Sequence, residues 1–425
     1  MNLTHINAAA LLLALLIGGW TIGAQPAVAD DRSWNPFRAS SASYSASQRR
    51  VYDREFVRKW EVNPPRGFAT LSRANIEPTK AAIARYKKLV ADGGWPAVDK
   101  VALRSGSNGR GVRKLHDRLI ASGDLRQASY YPSHFGHEIE RALKRFQASN
   151  GLSPTGVTDK RTVAALNISA KTRLRQLRIN LRRLRSKGIR DRGEYLVVNI
   201  PAQQVEAIDA GRVVSRHAGV VGKIDRKTPI LRSRIHEINF NPTWRLPPTV
   251  IRKDLIPRGR SMAREKRDVL AEFGIDAYSG GRKLDSKKVR WNSSQPYQLS
   301  YRQKPGKKNP LGFAKINFHN QYSVYLHDTP SDRIFGRNFR AASSGCIRVS
   351  NIEPLLAWLL KKNDGWSRGA VDAIKESGKT KTVSLRRRVP LHMVYITAWA
   401  TPDGVVQFRR DIYRRDGVGG LAAAY

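Results

Sequence analysis

Hydrophobic and polar positions change their period several times along this chain, and each change marks a new stretch. Residues 8–17 form an unbroken apolar run inside 1–29, which carries no Lys, Arg, Asp or Glu and ends Ala27-Val28-Ala29 before Asp30-Asp31. That combination predicts a cleaved export signal, because the run is shorter than the ~20 residues a spanning helix needs and its end fits an A-x-A-like cleavage site. Residues 30–76 hold no sustained apolar period and include the Ser-rich segment 40–47, so they are expected to be a linker or poorly ordered arm.

Helical spacing begins near residue 77. Ile83, Tyr86, Leu89 and Val90 share a face until Gly93-Gly94-Trp95-Pro96 stops the run. Val112, Leu115, Leu119 and Ile120 form a second stripe; Ile139, Leu143 and Phe146 form a third, closed by Asn150-Gly151; a short fourth covers 159–166. Residues 169–192 are predicted as a basic connecting helix. Leu174, Leu177, Leu181 and Leu184 make its packing stripe, and Arg173, Arg175, Arg178, Arg182, Arg183 and Arg185 its solvated face.

From Tyr195 the period becomes two. Short runs at 195–200, 205–208, 211–214, 215–222, 235–240, 316–318, 323–327 and 394–399 read as strands of a sandwich or barrel-like domain. A polar insertion at about 249–300, with a helical run at 260–273, interrupts them and is expected to be a lid or capping subdomain.

The candidate chemistry lies late in this β region. Cys346 is the only cysteine, so it cannot form an intramolecular disulfide, and a reactive thiol needs a nearby base or cation. His327, in Tyr325-Leu326-His327-Asp328-Thr329-Pro330, is the obvious supplier. Strand alternation would put Ser323, Tyr325 and His327 on one face, with Tyr322, Val324 and Leu326 in the core. Gly345 lets the backbone approach a substrate, and backbone amides at such a turn can stabilise an oxyanion. His134 and His137 invite a metal reading, but Arg141 stands where a second zincin histidine would be, so no metal is expected.

Two sets of motifs resemble known families. Val112-Arg113-Lys114-Leu115, Phe146-Gln147, Gly151-Leu152, Thr155-Gly156 and Thr162-Val163-Ala164-Ala165-Leu166 resemble the three-helix peptidoglycan-binding domain of bacterial wall enzymes. Asn241-Pro242-Thr243-Trp244, Val220-Val221-Gly222 with Thr228-Pro229, His327-Asp328-Thr329-Pro330 and Ser344-Gly345-Cys346-Ile347-Arg348-Val349 resemble the L,D-transpeptidases, in particular the larger Gram-negative type. This chain has Ser344 where the family's S-H-G-C motif carries histidine.

The resemblance implies a multidomain α+β fold: a mainly-β, sandwich-like L,D-transpeptidase catalytic domain at 193–415 and a small helical peptidoglycan-binding domain within 77–168, its core about 104–166, with a C-terminal tail at 416–425. It implies Cys346 as nucleophile, and His327 as base, oriented by a backbone carbonyl at Asp328. Tyr325 and the amides of Gly345 and Cys346 would form the oxyanion site; Arg348, Ser344, Trp244 and Asn241 would contact substrate. No cofactor is implied. The reaction would release terminal D-alanine from a tetrapeptide stem and join the acyl group to a diaminopimelate amine as a 3→3 cross-link, with carbapenems as acylating inhibitors. Water or an outer-membrane protein's N-terminus could replace that amine. A non-catalytic or hydrolytic wall-binding protein is the other class left open; intact Cys346, His327 and Gly345 favour the enzyme.

Composition adds a partner. With 40% hydrophobic residues and nine Trp the chain can bury sizeable cores, and a net charge of +43 needs an anionic neighbour. The export signal and the lack of zinc-finger, RNP-type or helix-turn-helix signals argue against nucleic acid. Peptidoglycan stem peptides and the anionic cell envelope are the expected partners, in the periplasm and peripheral to a membrane at most.

Overall fold

The computed structural model describes residue 59, residues 66–186 and residues 193–417. The predicted signal at 1–29, most of the arm at 30–76 and the tail beyond 417 lie outside these residues.

Between residues 66 and 186 lie the helices α1 (Ile76–Ala91), α2 (Arg110–Ser122), α3 (His137–Ser149), α4 (Lys160–Leu166) and α5 (Ala170–Ser186). The stripes on α2, α3 and α4 meet in one small core, where Val112, Leu115, Leu119, Ile139, Leu143 and Leu166 are fully buried. Asp159 caps α4, its Oδ1 accepting the Thr162 amide at 2.7 Å. The Gln147 side chain ties the following loop down: its Nε2 donates to the Val157 carbonyl at 2.9 Å and its Oε1 accepts the Gly156 amide at 2.9 Å. The Phe-Gln and Thr-Gly signals are therefore one packed and hydrogen-bonded unit.

The β-rich region begins with β1 (Glu194–Asn199), β2 (Gln204–Asp209), β3 (Arg212–Gly222) and β4 (Leu231–Phe240). An insertion follows, holding β5 (Trp244–Arg245), β6 (Ile275–Ser279), β7 (Arg282–Leu284) and β8 (Ser300–Gln303). The chain returns as β9 (Ala314–Phe318), β10 (Leu326–His327), β11 (Ala341–Ser343), β12 (Ile347–Val349) and β13 (Lys381–Val394), then closes with the hairpin β14 (Ala398–Ala400) and β15 (Val406–Phe408). The main sheet runs β11-β3-β12-β10-β9-β4-β13-β1-β2, and β2 also pairs with β3, so the sheet closes on itself. Its apolar residues, among them Leu196, Ile238, Ile316, Leu326 and Ile347, pack with leucines of α8 (Glu353–Leu360); α9 (Arg368–Ser377) adds Val371. The insertion has its own sheet, β5-β8-β6-β7, and its own core around Ile256, Leu270, Trp291 and Tyr301.

Four expectations change. Residues 66–76 of the supposed arm are docked, because Thr70 donates its amide and hydroxyl to the buried Glu206 carboxylate, both at 2.8 Å, while Leu71 enters a core with Leu184, Tyr195 and Val197. The strand expected at 323–327 shrinks to Leu326–His327: Asn320 Oδ1 accepts the amides of Tyr322 and Val324, Ser323 takes a left-handed φ of 54°, and Tyr322 is left exposed rather than in the core. The helical run at 260–273 splits into α6 (Ile256–Arg264) and α7 (Val269–Phe273), because Asp268 caps the second.

The run at 394–399 also breaks, and side chains replace the ladder. Asn199 Oδ1 accepts the Ile396 amide at 3.1 Å and Asn180 Oδ1 the Thr397 amide at 2.9 Å. Asn180, with Gln176, thereby pins α5 to the β13–β14 turn; Asn180 Nδ2 donates to Thr397 Oγ1 at 2.7 Å, and Gln176 Nε2 to the Arg409 carbonyl at 3.0 Å. Two arginines assigned to a solvated face are part of this dock: Arg173 is buried, and Arg183 pairs with the buried Asp416 at 2.6 Å.

Asn180→Ala removes three buried hydrogen bonds and leaves the Thr397 amide unmet, a cost of roughly 2–4 kcal/mol. Denaturant unfolding is expected to show that loss; a change below about 0.5 kcal/mol, the size of an ordinary surface substitution, would mean α5 is not docked this way.

Candidate active site at Cys346 and His327

Two very short strands set the geometry. β10 and β12 run parallel, with Leu326 opposite Ile347 and His327 opposite Arg348, and the Ile347 amide donates to the Tyr325 carbonyl at 3.0 Å. This places Tyr325 and His327 against the segment that begins with Cys346. On its other side β10 pairs with β9, where Lys315 stands opposite His327.

The cysteine turn is tied from behind. Ser343 Oγ donates to the Cys346 carbonyl at 2.6 Å, and Thr228 Oγ1 to the Gly345 carbonyl at 2.8 Å. Tyr413 completes the brace, its hydroxyl donating to the Gly222 carbonyl at 2.7 Å and accepting the Thr228 amide at 3.1 Å. Gly345 has a φ of 117°, a region that L side chains avoid, so glycine is required there by backbone conformation.

The His327 ring is buried, with Nδ1 2.6 Å from the Asp328 carbonyl oxygen. A carbonyl only accepts, so Nδ1 carries the hydrogen and Nε2 is the basic nitrogen of the neutral ring. Burial first, and the Arg348 charge second, pull the imidazole down to about 3. The Asp328 carboxylate faces elsewhere: Oδ2 accepts the Phe313 amide at 2.9 Å, and burial pushes the group up to about 6. Gly312 makes room for it, since a Cβ at 312 would lie 2.2 Å from Oδ2.

Burial also pushes the Cys346 thiol up from its ordinary value, while the Tyr325 amide and hydroxyl and the charges of Lys315 and Arg348 act to bring it down. The Tyr325 hydroxyl accepts from Trp244 Nε1 at 2.8 Å, and burial raises that phenol well above its usual range. Lys315 Nζ lies 4.6 Å from the Tyr325 ring centroid. The resting pair is thus a neutral thiol and a neutral imidazole, with its positive charge supplied by Lys315 and Arg348 rather than by His327.

The remaining expected residues divide. Trp244 reaches the site through Tyr325. Arg348 is half-buried, and its Nε is buried without a hydrogen-bond partner among the described residues. Ser344 Oγ accepts from Arg226 Nη1 at 2.7 Å, and Arg226 also grips Asp254 of the insertion at 2.7 Å. Beside it a cleft of about 480 Å³ opens between Arg226, Lys227, Arg252, Lys253, Tyr322 and Gly345. Two expectations are corrected. The Gly345 amide donates to Ser343 Oγ at 3.1 Å, so it is spent on holding the turn rather than free for an oxyanion. Asn241 is a turn residue with φ 44°, its amide donating to the carbonyls of Ile374 and Lys379, both at 3.0 Å, which engages it with the end of α9 instead of a ligand.

Lys315 and Arg226 were missed. Alternation in Ala314-Lys315-Ile316-Asn317-Phe318 does turn Lys315 away from the core, but only the pairing of β9 with β10 shows what it faces. Among the described residues no group of three or more His, Cys, Asp or Glu is placed to hold a metal, and no helix is long and apolar enough to cross a membrane.

Alkylation of Cys346 by an uncharged reagent should therefore follow one ionisation above the ordinary thiol value, without a step near pH 6–7. Lys315→Met is expected to move that ionisation up by roughly one pH unit, about 1.4 kcal/mol. A thiolate already reactive below pH 7 would contradict this charge arrangement.

Comparison with known proteins finds two matching families. Residues 193–375 match the family model described as "L,D-transpeptidase catalytic domain", and residues 108–166 match "Putative peptidoglycan binding domain". A Haemophilus influenzae protein named "Putative L,D-transpeptidase" is 31% identical over 245 residues, which cover 57% of this chain and 48% of that protein. The chain thus spans about half the length of that curated relative. An L,D-transpeptidase structure from Xylanimonas cellulosilytica aligns at 16% identity and TM-score 0.23, covering 70% of this chain and 100% of the other. One from Stackebrandtia nassauensis aligns at 13% and 0.26, covering 70% and 96%. Scores of that size carry no weight for the fold. The His327 strand and the Cys346 turn both fall inside the region, residues 193–375, that is similar to the L,D-transpeptidase catalytic domain, and residues 108–166 are similar to a peptidoglycan-binding domain.

Proposed function

We propose that the protein is a periplasmic peptidoglycan L,D-transpeptidase that uses Cys346 as its nucleophile. The observation that carries the reading is the placement of a half-buried thiol against the Tyr325 amide and hydroxyl, on a turn whose next strand pairs with His327. The thiol's proton passes to His327 Nε2 as Sγ attacks the carbonyl carbon of the third stem residue. The Cys346 amide and the Tyr325 hydroxyl hold the oxyanion. Collapse of the tetrahedral species breaks the C–N bond, and His327 returns the proton to the departing D-alanine amine.

A diaminopimelate amine of a second stem then attacks the thioester. His327 takes a proton from that amine and the thiol of Cys346 is restored, leaving a 3→3 cross-link. Arg348 and Lys315 supply the positive charge that a stem carboxylate needs near the thiol; Arg suits bidentate contact and Lys a point contact. Arg226 bridges Ser344 and Asp254, and so ties the insertion, read as a cap over the acceptor cleft, to the cysteine turn.

Disaccharide-tetrapeptides incubated with the mature protein should yield D-alanine and 3→3 dimers by chromatography with mass spectrometry. Cys346→Ala is expected to abolish both, His327→Ala to lower the rate roughly 10²–10⁴-fold and Tyr325→Phe roughly 100-fold. D-alanine release without dimers would place water, not an amine, as the acceptor. Turnover retained in Cys346→Ala would rule out this mechanism.

A further inference from the structure

A second cavity, of about 410 Å³, lies away from Cys346, where the small helical domain meets α1, α5 and the β14–β15 turn. That volume suits a small ligand. Its wall carries five arginines, at 85, 118, 126, 145 and 173, against the two carboxylates of Asp124 and Asp403. Each carboxylate accepts a neutral hydroxyl, Asp403 Oδ1 from Thr401 at 2.5 Å and Asp124 Oδ2 from Ser122 at 2.6 Å, and Asp124 is the counter-charge nearest Arg118, Arg145 and Arg85.

The deeper guanidiniums are held in fixed positions. Arg118 is 1% exposed, stacks 3.7 Å from the Trp95 ring centroid and donates Nε to the Leu166 carbonyl at 2.8 Å. Arg173 is 2% exposed, lies 4.2 Å from the Phe408 ring centroid and donates Nη2 to Asn150 Oδ1 at 2.7 Å. Arg145 Nη2 donates to the Asp124 carbonyl at 2.8 Å. Arg85 and Arg126 stand exposed at the mouth. Aromatic stacking and carbonyl bonds orient the guanidiniums, and two carboxylates offset five like charges only in part, so the concave wall keeps a positive excess.

We propose that this cavity is a ligand site separate from the cysteine centre, and that it takes a small molecule or polymer end bearing an oxyanion, carboxylate or phosphate. Planar guanidinium forks match both groups. Arg85 and Arg126 meet the ligand's charge at the mouth, and Arg145, Arg118 and Arg173 lie beneath it. The wall is built from both sides: α2 and α3 belong to the peptidoglycan-binding domain, while Arg173 and Phe408 belong to the dock that joins it to the catalytic domain. An occupant would therefore touch both domains at once.

Calorimetric titration of the full chain, with Cys346 alkylated so that the catalytic centre is blocked, tests this. A diaminopimelate-containing stem tripeptide is the carboxylate probe and inorganic phosphate the phosphate probe. Saturable binding of either is expected, weakened at least tenfold in Arg85→Glu/Arg126→Glu and by a smaller factor in Arg85→Gln/Arg126→Gln; which probe binds identifies the source of the anion. Both substitutions are at exposed positions, and an unchanged denaturation midpoint would establish that the variants are folded. No saturable binding by either probe, or binding equal in parent and Glu variant, would overturn the proposal.

Discussion

The whole site hangs on two residue pairs of parallel β-sheet. Leu326 opposite Ile347 and His327 opposite Arg348 bring together segments that the intervening loop would otherwise leave unrelated. So short a pairing contributes little by itself, and its surroundings make it rigid. Leu326 and Ile347 are fully buried in the main core, and β9 and β3 flank the pair on its outer edges. The Thr228–Tyr413 brace and Ser343 then hold the cysteine turn from behind, in a conformation that only glycine at 345 adopts without strain.

Burial is the second constraint, and it works against both reacting groups. It disfavours the thiolate of Cys346 and the imidazolium of His327 alike, so the resting site stores no ion pair. In the proposed reaction, charge that appears only along the way would be met by groups already in place: the Tyr325 hydroxyl and amide, Lys315 and Arg348. Such preorganised groups favour the charged transition state over the neutral ground state, which is what lowers a barrier.

The candidate site was more legible in the sequence than the fold around it. A single cysteine with glycine before it, nineteen residues after a histidine on an alternating run, pointed to residues that the fold brings together, and matching apolar stripes pointed to the small helical core. What could not be read was set by long-range polar contacts. Asn180 and Asn199 substitute for a missing strand neighbour at 395–397, Glu206 captures Thr70 from the supposed arm, and Asn320 curls residues that alternation predicted as strand. Lys315 carried no motif, because its meaning depends on which strand lies beside β9. The Gly345 amide looked available for an oxyanion because nothing local revealed that Ser343 Oγ accepts its hydrogen.

Intact mass spectrometry of the mature protein with a carbapenem, run beside Cys346→Ala, tests the central claim most directly. One covalent adduct on the parent and none on the variant is the predicted result. An adduct that persists in Cys346→Ala, or a folded parent that takes none, would contradict an activated nucleophile at this position.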